Sequence, residues 1–406
     1  MRRWERRLKD LSIALETCGS NYFEPELFRL NANHFLTTSR TVSFLFQKDK
    51  SSINNFGDWH ANNIVIPWKN DEIMKWSITA RNTIEKEGDL ELHSSVHVKL
   101  IIGYIEENDI PLSIDKNTCL GASIKRLIRF ARAELPTGVS DTSVIKIERT
   151  WIANTLPQHE LLQALLYIYT RMFEACHSLA KHLGTELEAS IPHPTLLDET
   201  ITGSRGVHYV KCNSNKIGVI RSKRQYLDES FKAPEWLKEI KEKRLSPPSS
   251  LNELVQTQAE MAEAVFKEHG NHVAMLWLYN ENYEIIDFIV TAPSDQADKY
   301  IFWRTIADKI HYLKAKYLVW TAEAWIRRGL DPRMTKLTRN LPITGEILHV
   351  TGIDGKGNTA SQTWNIRREP PESHPTLEIR DAIDDPKIKF NYLIPVRKAL
   401  EKVAAM

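Results

Sequence analysis

Two hydrophobic periods alternate along the chain and predict its elements. From Trp4 to about Leu92 apolar residues recur three to five positions apart, which is typical of one face of a helix. The longest such segment, Glu24 to Phe46, is expected to bury one stripe of side chains. These are Leu27, Leu30, Phe35, Val42 and Leu45. A further helix is predicted from Glu72 to Lys86, with a cap at Asn70-Asp71 and a stop at Gly88. Residues 1–92 therefore predict an antiparallel helical bundle.

The period changes after Leu92. Val96, Val98, Leu100 and Ile102 alternate as on one face of a strand, and residues 144–147 form a second short strand candidate. An arginine-rich helix over 124–133 lies between them, and a long amphipathic helix is expected over 157–183. Residues 93–240 are accordingly predicted to form a small mixed α+β middle region.

A charged and then Pro/Ser-rich stretch, Lys238 to Ser250, predicts a domain boundary. The pattern beyond it alternates between helix and strand. Helices are predicted over 251–267, 295–315 and 395–404, and strands over 272–279, 283–290, 317–322, 346–352 and 359–367. Since a short turn at 280–282 joins two of these strands as a hairpin, residues 251–406 predict a C-terminal α+β domain. The predicted fold class of the whole chain is α+β.

Composition limits the function classes further. The 406 residues carry 54 Lys+Arg and 52 Asp+Glu, so a net charge of +2 leaves room only for local nucleic-acid sites. The N-terminus lacks a secretory signal and no segment is apolar enough to span a membrane, which predicts a cytoplasmic protein without membrane contact. Four separated cysteines indicate reduced, mostly buried thiols. Neither a metal site nor a cofactor is expected, because dinucleotide, nucleoside-triphosphate and zinc-protease motifs are absent from the sequence.

Two helical segments of the bundle carry residues suited to RNA cleavage. Arg29 and His34 are five positions apart on the long helix, and Arg81 and Asn82 precede Lys86 on the later one. A base takes the proton of the ribose 2′-hydroxyl, and a guanidinium stabilises the charge that develops on the phosphate. The alternative is structural: Arg81 and Asn82 would hold the bundle together through Asp71, Glu85 or Asp89, and His34 would be a partly buried helix residue.

The block from Phe28 to Glu91 resembles the HEPN superfamily of helical-bundle proteins, chiefly in ARNTIEKEGDLE and in the preceding Met74 and Trp76. The resemblance implies a metal-independent ribonuclease or RNA-binding protein of a bacterial or phage defence or toxin system, acting as a homodimer. Arg81 would bind the scissile phosphate, Asn82 would orient it, and His34 or Lys86 would move the proton. The alternative is a catalytically inactive protein-interaction module, an antitoxin or a scaffold.

Two further groups of residues are candidates. Lys125, Arg126, Arg129 and Arg132 span two turns of the arginine-rich helix, and with Phe130 they are candidates for a phosphate-binding stripe. The alternative for that stripe is a solvated amphipathic face. Glu323 follows the strand 317–322, as site residues often do, but with Arg327 and Arg328 it favours an ion-pair network around a buried Trp325.

Overall fold

The chain folds into two compact units in the computed structural model. The structure describes residues 1–114, 119–201, 206–214, 217–218, 238, 247–327, 341–368, 374–380 and 391–405. The first unit comprises Met1–Ile102 with Asp109–Gly218. The second comprises Gly103–Asn108 with Val219–Met406, so a short segment between two strands of the first unit belongs to the second.

The first unit combines helices with an antiparallel sheet. Its helices are α1 (Arg3–Ser20), α2 (Pro25–Lys48), α3 (Glu72–Lys86), α4 (Ile124–Ala133), α5 (Leu161–His182) and α6 (Pro194–Ile201). Its strands are β1 (Leu92–Ile101), β2 (Ile110–Pro111), β3 (Val144–Ala153), β4 (Val207–Lys211) and β5 (Ile217–Gly218). The strands lie in the order β2-β1-β3-β4-β5. Short helical turns between Phe56 and Trp68 connect α2 to α3.

One hydrophobic core joins these helices to one face of the sheet. Alternate side chains of β3 point toward the helices, because successive residues of a strand face opposite sides. Trp151 is one of them: its ring stacks on Phe28 of α2 with 4.9 Å between centroids, and its indole nitrogen donates to the carbonyl of Tyr22. The packing of α2 on the sheet is therefore set by aromatic residues.

The buried stripe of α2 differs from the predicted one. Phe35 and Val42 are fully buried as predicted, but Leu27 and Leu30 are 48% and 52% exposed, and Phe28 and Leu36 are fully buried instead. Both stripes fit the helical period and share Phe35 and Val42, but the observed one is turned toward Phe28 by about 100°, the rotation of one residue. Burying the phenyl ring of Phe28 removes more apolar area from water than burying a leucine, so this side of the helix faces the core.

The second unit is a six-stranded antiparallel sheet with helices on both faces. Its strands are β6 (Ala274–Tyr279), β7 (Ile285–Thr291), β8 (Tyr317–Arg327), β9 (Ile343–Asp354), β10 (Thr359–Arg367) and β11 (Thr376–Arg380), in the order β11-β10-β9-β8-β6-β7. Helix α7 (Leu251–His269) packs on one face, and α8 (Gln296–Leu313) and α9 (Ile394–Ala404) on the other. Each face of the sheet has its own apolar core.

A close approach of helix and strand occurs at Gly352 of β9. A Cβ atom at this position would overlap Cγ2 of Val255 and lie 3.0 Å from Cδ1 of Leu251, both on α7. We expect Gly352→Ala to lower the free energy of unfolding of the second unit by about 1 to 3 kcal/mol in urea titrations. Gly345→Ala on the same strand is the control, because its Cβ would meet Ile326 at an ordinary 3.7 Å. Equal losses in both variants would contradict this account of the packing.

The α+β class is confirmed, with N-terminal helices and a C-terminal sheet flanked by helices. The boundary predicted between Lys238 and Ser250 lies largely outside the described residues, and the division into 1–92, 93–240 and 251–406 stays a prediction. The helices in the described part of the chain include none with the length and apolar character that crossing a membrane requires.

Candidate nucleic-acid interface

Helix α4 is amphipathic, and its apolar side fixes which residues face outward. Leu127 and Ala131, one turn apart, are fully buried in the core of the first unit. Ile124, Ile128 and Phe130 pack against the same core and are partly buried. Since side chains three and four positions apart share a face, the residues between these apolar positions point to solvent.

Three cations occupy the outward side of α4. Lys125, Arg126 and Arg129 are exposed, and none of them forms an ion pair or hydrogen bond with any residue that the structure describes. The guanidinium of Arg126 lies over the ring of Phe130, 5.4 Å from its centroid, so the aromatic ring positions it. Arg129 is three residues from Arg126 and four from Lys125, which makes the three charges neighbours on one surface.

Arg132, predicted as the fourth cation of this stripe, has a different environment. Its guanidinium is half-buried and donates to the carbonyl oxygens of Lys211 at 3.2 Å and Ser214 at 2.5 Å. These hydrogen bonds attach the end of α4 to the end of β4. Arg132 therefore links two elements of the fold, and the exposed stripe consists of Lys125, Arg126 and Arg129.

The arginine and histidine predicted on α2 lie in separate environments. Arg29 pairs with Glu26 at 2.8 Å and also with Asp89, three residues beyond the end of α3. Asn33 donates to the same Asp89 carboxylate at 2.7 Å. His34 is exposed, and its side chain has no recorded partner among the described residues. Arg29 is thus held in an ion-pair network that joins α2 to the end of α3.

The residues predicted on α3 also pair locally. Arg81 forms an ion pair with Glu85 at 2.6 Å and donates to Oδ1 of Asn82 at 3.2 Å. Lys86 is exposed at the last turn. In the described part of the chain, no hydrogen bond or ion pair joins Arg29 or His34 to these three residues. The Glu85 contact is one of those that the structural alternative expected, and catalysis by the set stays a prediction.

The environment of Glu323 differs from the expected one. Trp325 is 62% exposed instead of buried, and Arg327 lies over its ring. Glu323 accepts a hydrogen bond from the backbone of His272 and pairs with Arg368, which also pairs with Glu346 at 2.6 Å. Arg368 was not predicted as a partner of Glu323, because it follows β10 and is distant from Glu323 in the sequence. Burial raises the pKa of Glu323, and Arg328 lies outside the described residues.

The four cysteines are free, with Cys18, Cys119 and Cys176 buried and Cys212 half-buried, which confirms the expected thiols. Within the described ranges, no three His, Cys, Asp or Glu side chains are grouped so that they can hold a metal ion.

Comparisons with known proteins identify relatives over nearly the whole length. Residues 1–399 match the family described as bacteriophage lambda protein ea47. The "Protein ea47" of Escherichia phage lambda is 41% identical over 400 residues, which cover 98% of this chain and 97% of that protein. No solved structure matches.

The resemblance to the HEPN superfamily is therefore wrong, because one phage family accounts for nearly the whole chain and no HEPN family is found. The pattern that suggested it, ARNTIEKEGDLE after Met74 and Trp76, has a packing explanation. Met74 and Trp76 are buried in the core, while Arg81 pairs with Glu85 on the same helix. An amphipathic helix produces such a pattern without any shared ancestry.

Proposed function

The chain belongs to the family of bacteriophage lambda protein ea47, and from this premise we propose that it is a phage protein that binds the phosphate backbone of a nucleic acid through helix α4. The observation that carries the proposal is the exposed stripe of Lys125, Arg126 and Arg129, three neighbouring cations without an acidic partner among the described residues. When such cations bind a polyphosphate, they release the counterions condensed on it, and this release makes the free energy of binding more favourable.

The stripe also limits how strong and how specific this binding is. Three phosphate contacts give weak binding, with a dissociation constant in the range of roughly 10⁻⁴ to 10⁻⁶ M that is typical of nonspecific binding. Phosphate contacts position a protein on a nucleic acid and carry no sequence information. We therefore expect binding with little sequence preference, to RNA and DNA alike.

The test is fluorescence anisotropy with labelled 20-nucleotide single-stranded RNA, single-stranded DNA and duplex DNA at several salt concentrations. With three phosphates neutralised, the logarithm of the association constant is expected to fall with the logarithm of the salt concentration. The expected slope is about −2.1 on single strands and about −2.7 on duplex. The variant Lys125→Ala/Arg126→Ala/Arg129→Ala is expected to lose at least about tenfold in affinity and most of this salt dependence.

A charge-matched control separates the stripe from the general charge of the protein. Lys48→Ala/Lys75→Ala/Lys181→Ala also removes three exposed cations from the first unit. This control is expected to retain most of the affinity. Equal losses in both triple variants, or unchanged affinity in the α4 variant, would contradict the proposal and leave the solvated-face alternative.

Metal-independent RNA cleavage stays a prediction, and it can be tested with the same protein and labelled RNA. The residues predicted to carry it are Arg81, Asn82, Lys86, His34 and Arg29. Labelled RNA is incubated with the protein in EDTA, beside Arg81→Ala. Cleavage by the unaltered protein alone would support a catalytic role for Arg81. Cleavage by neither protein, or by both equally, would leave Arg81 as a partner of Glu85 in the bundle.

A protein-interaction module is the second candidate, and β7 favours it. This strand is an edge of the described sheet, and its side chains Ile285, Phe288 and Val290 are exposed. Exposed apolar edge strands are frequent sites of strand pairing with another chain. Sedimentation velocity across a range of protein concentrations tests whether the chain self-associates, as pairing of this edge between two copies requires.

A further inference from the structure

A small depression lies between α2 and α3 in the first unit. Its lining consists of Ser39, Arg40, Trp68, Met74, Ser77, Ile78 and Met172. The space it offers is about 10 Å³, which accommodates one water-sized group. A ligand can therefore place only a single small group inside it, with the remainder outside.

Arg40, the cation that lines the depression, has no carboxylate partner among the described residues. Arg40 is half-buried; its guanidinium lies 4.5 Å from the ring centroid of Phe44 and 3.4 Å from Oγ of Ser43. No ion pair joins it to any acid in the described part of the chain. Half-buried charges are usually paired, because desolvation without a partner is costly.

A second guanidinium lies nearby. Arg81 follows Ser77 of the lining by one helical turn, so the two share a face of α3. Burial lowers the pKa of Arg40, and the positive charge of Arg81 lowers it further, as expected for neighbouring cations. Among the described residues, Arg81 pairs with one carboxylate, that of Glu85, and its Nε is buried without an acceptor. In that part of the chain, Arg40 and Arg81 therefore have one carboxylate between them.

We propose that Arg40 and Arg81 bind an oxyanion, the phosphate or carboxylate end of a ligand, at the mouth of this depression. The anion supplies the negative charge and the acceptor atoms that the two guanidiniums lack. Arginine suits this task because its planar donors match the oxygens of phosphate and carboxylate groups. Met74 and Met172, which line the depression and are buried, exclude water from one side and strengthen the attraction.

Isothermal titration calorimetry with the full chain tests this site, using sodium phosphate and sodium acetate in separate arms against sodium chloride of equal ionic strength. We expect saturable phosphate binding, and weaker binding of acetate, which has a single charge. Arg40→Gln is expected to lower phosphate affinity at least tenfold. Arg40→Lys retains the charge but not the fork of donors, and is expected to recover only part of the loss.

Two controls make the result decisive. The α4 triple variant removes the exposed cations that also attract phosphate, and it is expected to keep the saturable binding. Arg7→Gln removes an exposed arginine that pairs with Asp10, and it is also expected to bind normally. Melting curves of Arg40→Gln and Arg40→Lys show whether these variants are folded. Unchanged affinity in folded Arg40→Gln, or loss of saturable binding in the α4 variant, would overturn the proposal.

Discussion

Replacing Arg149 with methionine is expected to lower the free energy of unfolding of the first unit by about 3 to 5 kcal/mol. Arg149 is 2% exposed and points from β3 into the core. Its guanidinium donates to the carbonyl oxygens of Ala122 at 2.7 Å, Cys119 at 2.9 Å and Phe23 at 3.4 Å. Methionine has a similar volume, so the expected loss reports mainly the three carbonyls left without a donor.

The aromatic surroundings of Arg149 add to this effect. The guanidinium lies 5.6 Å from the ring of Phe23 and 5.3 Å from that of Trp151, a geometry that stabilises a desolvated cation. Burial lowers the pKa of Arg149 to about 10, so the side chain remains charged at neutral pH. Its three acceptors belong to the segments after α1 and before α4, and Arg149 therefore fixes both segments against the sheet.

Urea unfolding monitored by hydrogen exchange in β3 measures the change for the first unit alone. Arg126→Met is the matched control: the same substitution on the exposed face of α4 is expected to change stability by less than about 0.5 kcal/mol. A loss below about 1 kcal/mol in Arg149→Met would show that the carbonyls find other donors, and would refute this account of the core.

Helices and strands with strong local signals were predictable from the sequence. Helix α3 begins after Asp71, whose side chain accepts a hydrogen bond from the backbone of Met74, and it spans the predicted residues 72–86. Helix α4 likewise has the predicted bounds. Periodicity and caps act within a few residues, so one sequence contains the information they need. Strand β4 was missed, since its five residues VHYVK are too short for a clear period.

Features that depend on distant residues were not predictable in this way. Whether a cation of α4 is free or bonded depends on carbonyl groups near β4, which is why Arg132 was grouped with the exposed stripe. Arg40 carried no motif, and its importance comes from the neighbouring α3. A usable signal did exist for Arg149: it alternates in phase with Ile147 and Trp151, which marks it as facing the core.

The second unit is expected to lose about 3 kcal/mol of stability as the pH falls from 6.5 to 4, because of His349. This residue of β9 is 9% exposed, and its Nδ1 lies 3.4 Å from Oγ1 of Thr351. Burial lowers its pKa from 6.5 to about 4. Above pH 6.5 the side chain is neutral in both states and contributes no pH dependence. Between pH 6.5 and 4 the unfolded chain binds a proton that the folded unit excludes, so stability falls by about 1.4 kcal/mol per pH unit.

Comparison of variants isolates this effect from the carboxylates and from His272, whose pKa burial also lowers. Urea unfolding of the second unit is measured from pH 7 to 4 for the unaltered protein, His349→Gln and His311→Gln. His311 of α8 is exposed, so its variant is expected to follow the unaltered curve. The curve of His349→Gln is expected to be flatter, since glutamine has no proton to gain. If it instead runs parallel to the curve of the unaltered protein, His349 is protonated in the folded unit as readily as in the unfolded chain, which would contradict the prediction.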